Sequence, residues 1–134
     1  MKLHYMPGTC AMADHIVLEW IGKPYQAVQV PRDQLKSPEF LRLNPAGAVP
    51  VLELDGWSLT QNSAILHYLG ATSPEARLLG DGSARGMAEV DRWLAFVNAE
   101  VHPSFWPFFG GLSWLHEYVR ARSVSAVINA TRMA

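Results

Sequence analysis

The sequence predicts a small mixed α/β domain followed by an all-helical region. Over residues 1–71, short runs in which apolar and polar residues alternate, as is typical of strands, are interspersed with segments of helical periodicity. The pair Asp55-Gly56 separates two such runs, which predicts an antiparallel hairpin. Residues 72–82 are rich in Gly, Pro and small polar residues and are interpreted as a linker. Only helical periodicity follows, so residues 83–134 are predicted to be all-α.

The first half of the α/β domain has the predicted order strand, helix, strand. Residues 2–5 predict a strand, and residues 25–30 alternate and predict a second one. Between them, Thr9 is the expected N-cap of a helix that Gly22 ends. Because a helix joins the two strands, they are expected to be parallel. The apolar positions that predict the helix face are Ala13, Ile16, Val17, Trp20 and Ile21.

The second half of this domain adds a short helix and the hairpin. Ser37 as N-cap and Pro38 at the first helical position predict a helix that ends near Leu43. Residues 49–54 and 57–60 predict the two strands of the hairpin.

Three further helices are predicted. Asn62 is the expected N-cap of a helix over residues 62–70 that Gly70 closes, which completes the order βαβαββα. An apolar face at spacings of three and four predicts an amphipathic helix over residues 83–101. A last helical stretch is predicted from Leu112 onward.

Composition excludes several classes of partner. The net charge is −1, from 11 basic and 12 acidic side chains, which gives no support for binding nucleic acid or an anionic membrane. No apolar run reaches 18 residues, so no membrane-spanning helix is expected. A single cysteine and the absence of a signal-peptide pattern predict a cytoplasmic protein. The five histidines show no metal-ligand spacing, so no metal is expected.

Cys10 is the first candidate for chemistry. The pattern places it at the start of a helix, where free backbone N–H groups and the helix dipole favour an anion and would lower the thiol pKa. The same place would suit the sulfur of a bound thiol. Ala13 stands where a Cys-x-x-Cys pair would need its second cysteine. The other interpretation, a buried and inert cysteine, stays open.

Three other positions have both a structural and a functional interpretation. Val49-Pro50 is an ordinary strand entry, or a cis bond whose Val49 backbone faces an extended ligand. Gln61-Asn62 is a helix cap, or a helix start that holds a carboxylate. His102 is a structural histidine, or a catalytic one beside the aromatic cluster Phe105, Trp106, Phe108 and Phe109.

Three segments together resemble the cytosolic glutathione S-transferases, most closely the bacterial beta class. They are "KLHYMPGTCAMADHIVLEWIGKPY", "NPAGAVPVLELDGWSLTQNSAILHYL" and "DRWLAFVNAEVHPSFWPFF", which lie within residues 1–109. The resemblance implies a thioredoxin-like domain that binds glutathione. It also implies an all-helical domain that receives a small hydrophobic electrophile, and a homodimer. The family's helical domain is longer than residues 83–134, so this domain is expected to be shortened.

The resemblance also assigns the glutathione contacts. Val49, before the family's cis-proline Pro50, corresponds to the backbone clamp on the cysteinyl unit. Gln61 and Asn62 correspond to the polar residues that hold the γ-glutamyl end. The family more often has Glu, and Ser or Gly, at these two places, but both residues here can form hydrogen bonds. A basic residue from the segment 32–36 would suit the glycyl carboxylate.

The resemblance places Cys10 beside the glutathione sulfur and brings His102 to that sulfur from the second domain. It implies conjugation of the glutathione thiolate to hydrophobic electrophiles, with a glutaredoxin-like thiol–disulfide activity through Cys10 as an addition. One alternative is a glutathione-binding dimer with little or no activity, because its second domain is short. Another is a thioredoxin-fold reductase that works through Cys10 alone.

Overall fold

The computed structural model describes residues 1–105 and 108 of the 134-residue chain. The chain divides into two compact units, Met1–Met87 and Ala88–Ala134. Residues 72–82, predicted as a linker, lie inside the first unit and include a 3-10 turn over Pro74–Ala76. The helix predicted from Leu112 onward lies outside the described residues. None of the described helices is long and apolar enough to cross a membrane.

Residues 1–71 have the predicted order βαβαββα, with a 3-10 turn over Arg32–Lys36 between the second strand and the second helix. The elements are β1 (Lys2–Tyr5), α1 (Ala11–Ile21), β2 (Gln26–Gln29), α2 (Pro38–Leu43), β3 (Val51–Leu54), β4 (Trp57–Thr60) and α3 (Asn62–Ala71).

The strands form one mixed sheet in the order β2-β1-β3-β4. β1 is parallel to β2 and antiparallel to β3, and β3 is antiparallel to β4. Both strand relations that the sequence predicted are therefore confirmed. Gly56 has φ 87°, so the hairpin turn uses the freedom of glycine at this position.

Helices cover both faces of the sheet. On one face Leu3 and Leu52 are fully buried against Leu18 of α1 and Ile65 of α3. On the other face Val51 packs in a separate cluster with Phe40 of α2 and Val30. Burial of each such side chain contributes about 1.5–3 kcal/mol. The sheet therefore serves as a rigid platform whose strand ends position the loops that follow.

The start and the buried side of α1 differ from the prediction. Cys10, and not Thr9, is the N-cap residue, because the Thr9 hydroxyl donates to the main-chain oxygen of Met6 at 2.7 Å. Ile16 and Trp20 are 44% and 70% exposed. Val17 and Ile21 of the predicted face do pack against the core, so the prediction is wrong for Ile16 and Trp20, because the helix has apolar residues on more than one side. The residues that α1 buries are Ala11, Asp14 and Leu18.

The ends of the helices follow local signals in most places. Gly22 ends α1 with φ 70°, and the Ser37 hydroxyl accepts from the Phe40 N–H, both as predicted. Gly70 does not end α3, which continues to Ala71. It is buried inside the helix, where an added Cβ would lie 2.8 Å from the Leu79 Cγ. Close packing, and not termination, therefore requires this glycine.

The predicted helix over residues 83–101 is present but is not one regular helix. It begins as α4 (Ala84–Phe96), passes through a π-helical turn at Val97–Val101 and continues as α5 (His102–Ser104). The Ser83 hydroxyl accepts from the Gly86 N–H at 3.0 Å and caps α4.

Candidate functional site

Three chain segments meet at one end of the sheet. Val51, at the start of β3, pairs with His4 near the end of β1 and with Thr60 at the end of β4. The loop after β1, the residues before β3 and the residues after β4 must therefore leave the sheet at the same end. These segments are residues 6–10, 49–50 and 61–62. They contain all of the predicted site residues except His102.

Cys10 lies at the start of α1 and is partly buried. Burial raises the pKa of its thiol, and the nearby Asp14 carboxyl raises it further. The backbone N–H groups of Cys10 and Ala11 hydrogen-bond the sulfur and lower the pKa, but by less. The prediction of a lowered thiol pKa is therefore wrong for the protein without a ligand, because desolvation of the thiolate outweighs the helix start.

Asp14 is a site residue that the sequence analysis missed. It follows Cys10 by one helical turn and is fully buried. One carboxylate oxygen, Oδ2, accepts from the Asn62 amide at 3.2 Å, while Oδ1 has no hydrogen-bond partner in the described part of the chain. Burial raises the pKa of Asp14 to about 7, although the bond from Asn62 lowers it. The available signal was an acidic residue within an apolar helical pattern, four positions after the only cysteine.

Asn62 connects α3 to this cysteine. Its Nδ2 donates to the main-chain oxygen of Cys10 at 2.9 Å as well as to Asp14. The prediction that Asn62 is the N-cap is wrong, because Gln61 occupies the cap position and Asn62 is the first helical residue. The structure therefore brings Cys10 and Asn62 into direct contact, through the side chain that was expected to face a ligand.

Gln61 has an unusual backbone conformation. Its φ of 72° and ψ of 115° lie outside the regions that residues with a Cβ prefer, at a cost on the order of 1–3 kcal/mol. Its carbonyl accepts from the Ile65 N–H at 3.0 Å, so the strained residue directly begins α3, while its side chain is exposed. Such strain persists where the surrounding structure fixes it, and it is common at binding sites.

The loop before β3 is held from inside by Asn44, which is buried. Its amide nitrogen donates to the Ala48 carbonyl at 2.6 Å, and its amide oxygen accepts from the Ala46 N–H at 3.1 Å. The loop leads into the Val49-Pro50 peptide bond, which is cis, as the resemblance implies. Asn44 is a second residue that the sequence analysis did not assign to the site, although it begins the Asn-Pro pair.

The same loop is held from outside by Lys36, at the end of the 3-10 turn. Its Nζ donates to the Ala46 carbonyl at 2.8 Å. Gly47 passes so close that an added Cβ would lie 2.7 Å from the main-chain oxygen of Leu35 and 2.6 Å from the Lys36 Nζ. Among the basic residues of the segment 32–36, Lys36 is thus fixed beside the residues that lead to Val49.

His102 lies in the second unit, where it is the first residue of α5 and its carbonyl accepts from the Phe105 N–H at 3.1 Å. The site that the first unit assembles by itself consists of Cys10, Asp14, Val49, Pro50, Gln61 and Asn62. Within residues 1–105 and 108, no group of three or more His, Cys, Asp or Glu side chains is placed to hold a metal ion.

The fold and the site define a thioredoxin-like domain that presents a cysteine at a helix start, opposite a cis-proline strand entry. Residues 9–72 match the family model of the glutathione S-transferase N-terminal domain. The glutathione S-transferase GST-4.5 of Xanthomonas campestris pv. campestris is 55% identical over 117 residues, which cover 87% of this chain and 57% of that protein.

Two solved structures extend the comparison. The bacterial beta-class glutathione S-transferase of Sphingomonas chungbukensis is 36% identical with a TM-score of 0.85, over 99% of this chain and 67% of that one. A sphingomonad glutathione S-transferase complexed with glutathione is 34% identical with a TM-score of 0.85, again over 99% and 67%. The chain belongs to the glutathione S-transferase family. It spans little more than half the length of its curated Xanthomonas relative.

Proposed function

We propose that this chain is a glutathione transferase, which binds glutathione at the sheet end described above and presents its thiolate to a small hydrophobic electrophile. The observation that carries the proposal is the convergence of the Cys10 thiol, the Val49 backbone and the start of α3 at that single end. The sphingomonad relative, complexed with glutathione, supports the choice of ligand.

Glutathione is a peptide with a carboxylate at each end, and the site offers a complementary group for each part. We assign its cysteinyl unit to the Val49 backbone, as in strand-like peptide recognition. The γ-glutamyl carboxylate is assigned to the first turn of α3 and to Gln61, because N–H groups in a first turn have no partner within the helix. Lys36 is assigned to the glycyl carboxylate, since its ammonium lies beside the loop that leads to Val49.

In this arrangement the side chain of Asn62 plays a different role from the one expected. Its Nδ2 is bonded to Cys10 and Asp14, so we assign its contribution to glutathione to the main-chain N–H group. The amide side chain then supports the cysteine that faces the glutathione sulfur. Asn62 therefore still contacts glutathione in this proposal, but through its main-chain N–H group and not through its side chain.

The proposed reaction is nucleophilic attack by the glutathione sulfur. The thiol loses its proton to solvent, and the Cys10 S–H, at the start of α1, donates a hydrogen bond that stabilises the thiolate. The sulfur then forms a bond to an electrophilic carbon while that carbon's leaving group departs with its electron pair. We assign His102 as the contribution of the second unit to the sulfur.

Thiol–disulfide exchange through Cys10 is a secondary activity in this proposal. It requires the Cys10 thiolate to attack a disulfide sulfur and release the other sulfur as a thiolate. A raised thiol pKa leaves little thiolate at neutral pH, which favours conjugation over exchange. From the family resemblance we also propose a cytoplasmic location and a homodimer. Light scattering after gel filtration tests the homodimer.

The experiment measures retention on immobilised glutathione and conjugation of a chlorodinitrobenzene-type electrophile for the 134-residue chain, Cys10→Ser and Cys10→Ala. We expect binding by all three. Turnover should be retained with serine, which keeps a donor, and reduced roughly 10- to 100-fold with alanine. Binding without turnover by the unchanged chain would instead support the non-catalytic glutathione-binding alternative. Absence of binding would reject both.

A second measurement addresses the reductase alternative. Reduction of a mixed disulfide of glutathione is followed for the same three proteins. If Cys10→Ala removes this activity and leaves conjugation intact, the main role of Cys10 is redox chemistry. If conjugation falls and exchange is weak in all three proteins, the role proposed here is supported.

A further inference from the structure

We propose that Asp14 and Asn62 are positioning residues that keep the Cys10 thiol protonated, so that it donates a hydrogen bond to a bound thiolate and does not act as the nucleophile itself. The identity of that thiolate rests on the function proposed above. The protonation of Cys10 does not, because it is a property of the protein without its ligand.

The geometry connects the three residues across two helices. A single amide group, the Asn62 Nδ2, donates both to the main-chain oxygen of Cys10 and to the Asp14 carboxylate. Asn62 lies on α3, whereas the other two residues belong to the start of α1. The amide therefore holds the carboxylate and the cysteine backbone in a fixed relation, which a substitution of Asn62 would loosen.

The charge of Asp14 affects the protonation of the Cys10 thiol. Asp14 is fully buried, and its Oδ1 has no partner among the described residues, so its negative charge is poorly compensated. A thiolate one turn away would add a second anion, and two such charges oppose each other. Ionised Asp14 therefore favours the neutral thiol, in agreement with its effect on the Cys10 pKa.

The other ionisable groups on the elements packed against α1 have contacts that do not involve Asp14. Lys2 and His4 of β1 bind the Glu53 carboxylate at 2.9 and 2.7 Å. The Tyr5 ring packs edge-on against His15 with centroids 4.4 Å apart. The remaining such groups are His67, which lines a separate cleft, and Tyr68, which packs against Trp57. The pKa of Asp14 responds to burial and to Asn62.

The chain offers a direct test because Cys10 is its only cysteine. The rate of alkylation by iodoacetamide is measured by mass spectrometry from pH 7 to pH 11, without glutathione, for the unchanged chain and for Asp14→Asn. We expect the midpoint of the pH profile to fall by about 0.5–1 unit and the rate at pH 7.5 to rise about 3- to 10-fold. Asp55→Asn, which removes an equal charge from the exposed hairpin turn, should leave the profile unchanged.

The limiting rate at high pH separates this role from a loosened fold. A more open structure would reduce the burial of Cys10 and so lower the midpoint too, but it would also raise the limiting rate, whereas loss of the Asp14 charge alone lowers the midpoint and leaves the limiting rate unchanged. A midpoint that falls together with a higher limiting rate would overturn the proposal, as would a profile that superimposes on that of the unchanged chain. If Asp14→Asn does not fold by circular dichroism, Asp14→Ser carries the same prediction, since its hydroxyl can still accept from Asn62.

A second arm uses oxidised glutathione. The Cys10 thiolate attacks one of its sulfurs, the Cys10–glutathione disulfide forms, and the other half leaves as a thiolate. We expect this rate at pH 7.5 to rise about 3- to 10-fold in Asp14→Asn, in parallel with alkylation. If the alkylation midpoint falls while glutathione does not bind, the function proposed above fails and the role of Asp14 stands.

Discussion

The buried carboxyl of Asp14 should make the stability of the chain depend on pH in an unusual direction. Its pKa rises from an ordinary 3.8 to about 7 on folding, because burial disfavours the ionised form. The folded state therefore binds the proton more tightly than the unfolded state. The associated stability is fully present below pH 4, is lost as the pH rises to about 7, and changes no further above that value.

The size of the effect follows from the two pKa values. Each unit of difference corresponds to about 1.4 kcal/mol, so ionisation of Asp14 lowers the free energy of unfolding by about 4 kcal/mol above pH 7. Asp14→Asn removes this dependence. The new amide N–H would occupy the position of Oδ1, which has no partner, at a cost of about 1–3 kcal/mol at every pH. The two stability curves should therefore cross roughly between pH 4.5 and 6.

Urea unfolding followed by circular dichroism at pH 4, 5, 6, 7 and 8 measures this difference. Other titrating groups are common to both proteins, so the difference between them isolates Asp14. We expect the variant to be the less stable protein at pH 4 and the more stable one at pH 8. A difference that stays constant over this range would refute the argument that Asp14 titrates near neutral pH because it is buried.

Two further predictions concern the loops that shape the site. Gly47→Ala should lower the free energy of unfolding by about 2 kcal/mol or more, and weaken retention on immobilised glutathione, because a Cβ has no room beside Leu35 and Lys36. Thermal unfolding measures the loss of stability, and an unchanged unfolding temperature would contradict the close contact of Gly47 with these two residues. Gln61→Gly should leave stability within about 1 kcal/mol, because glycine tolerates φ 72°, yet weaken glutathione binding about 10-fold by calorimetry. Unchanged affinity would remove Gln61 from the site.

Most of the fold could be predicted from the sequence because its signals are local. Ser37 caps α2 three residues ahead of the N–H that it binds, and Gly22 ends α1 through its own backbone conformation. The Asp55-Gly56 pair determines a turn between adjacent strands. Such signals involve neighbours along the chain, so a single sequence contains all the information that they need.

The sequence by itself determined the strand and helix order, the candidate cysteine and the segments that meet beside it. Only the tertiary structure decided that Asp14 is buried, that the Asn62 amide turns inward and that the thiol pKa rises. The two bonds that hold the Asn62 amide in this orientation join residues 48 and 52 positions apart in the chain. A helix start favours an anion wherever it occurs, but whether burial and a neighbouring charge outweigh it depends on what packs against it.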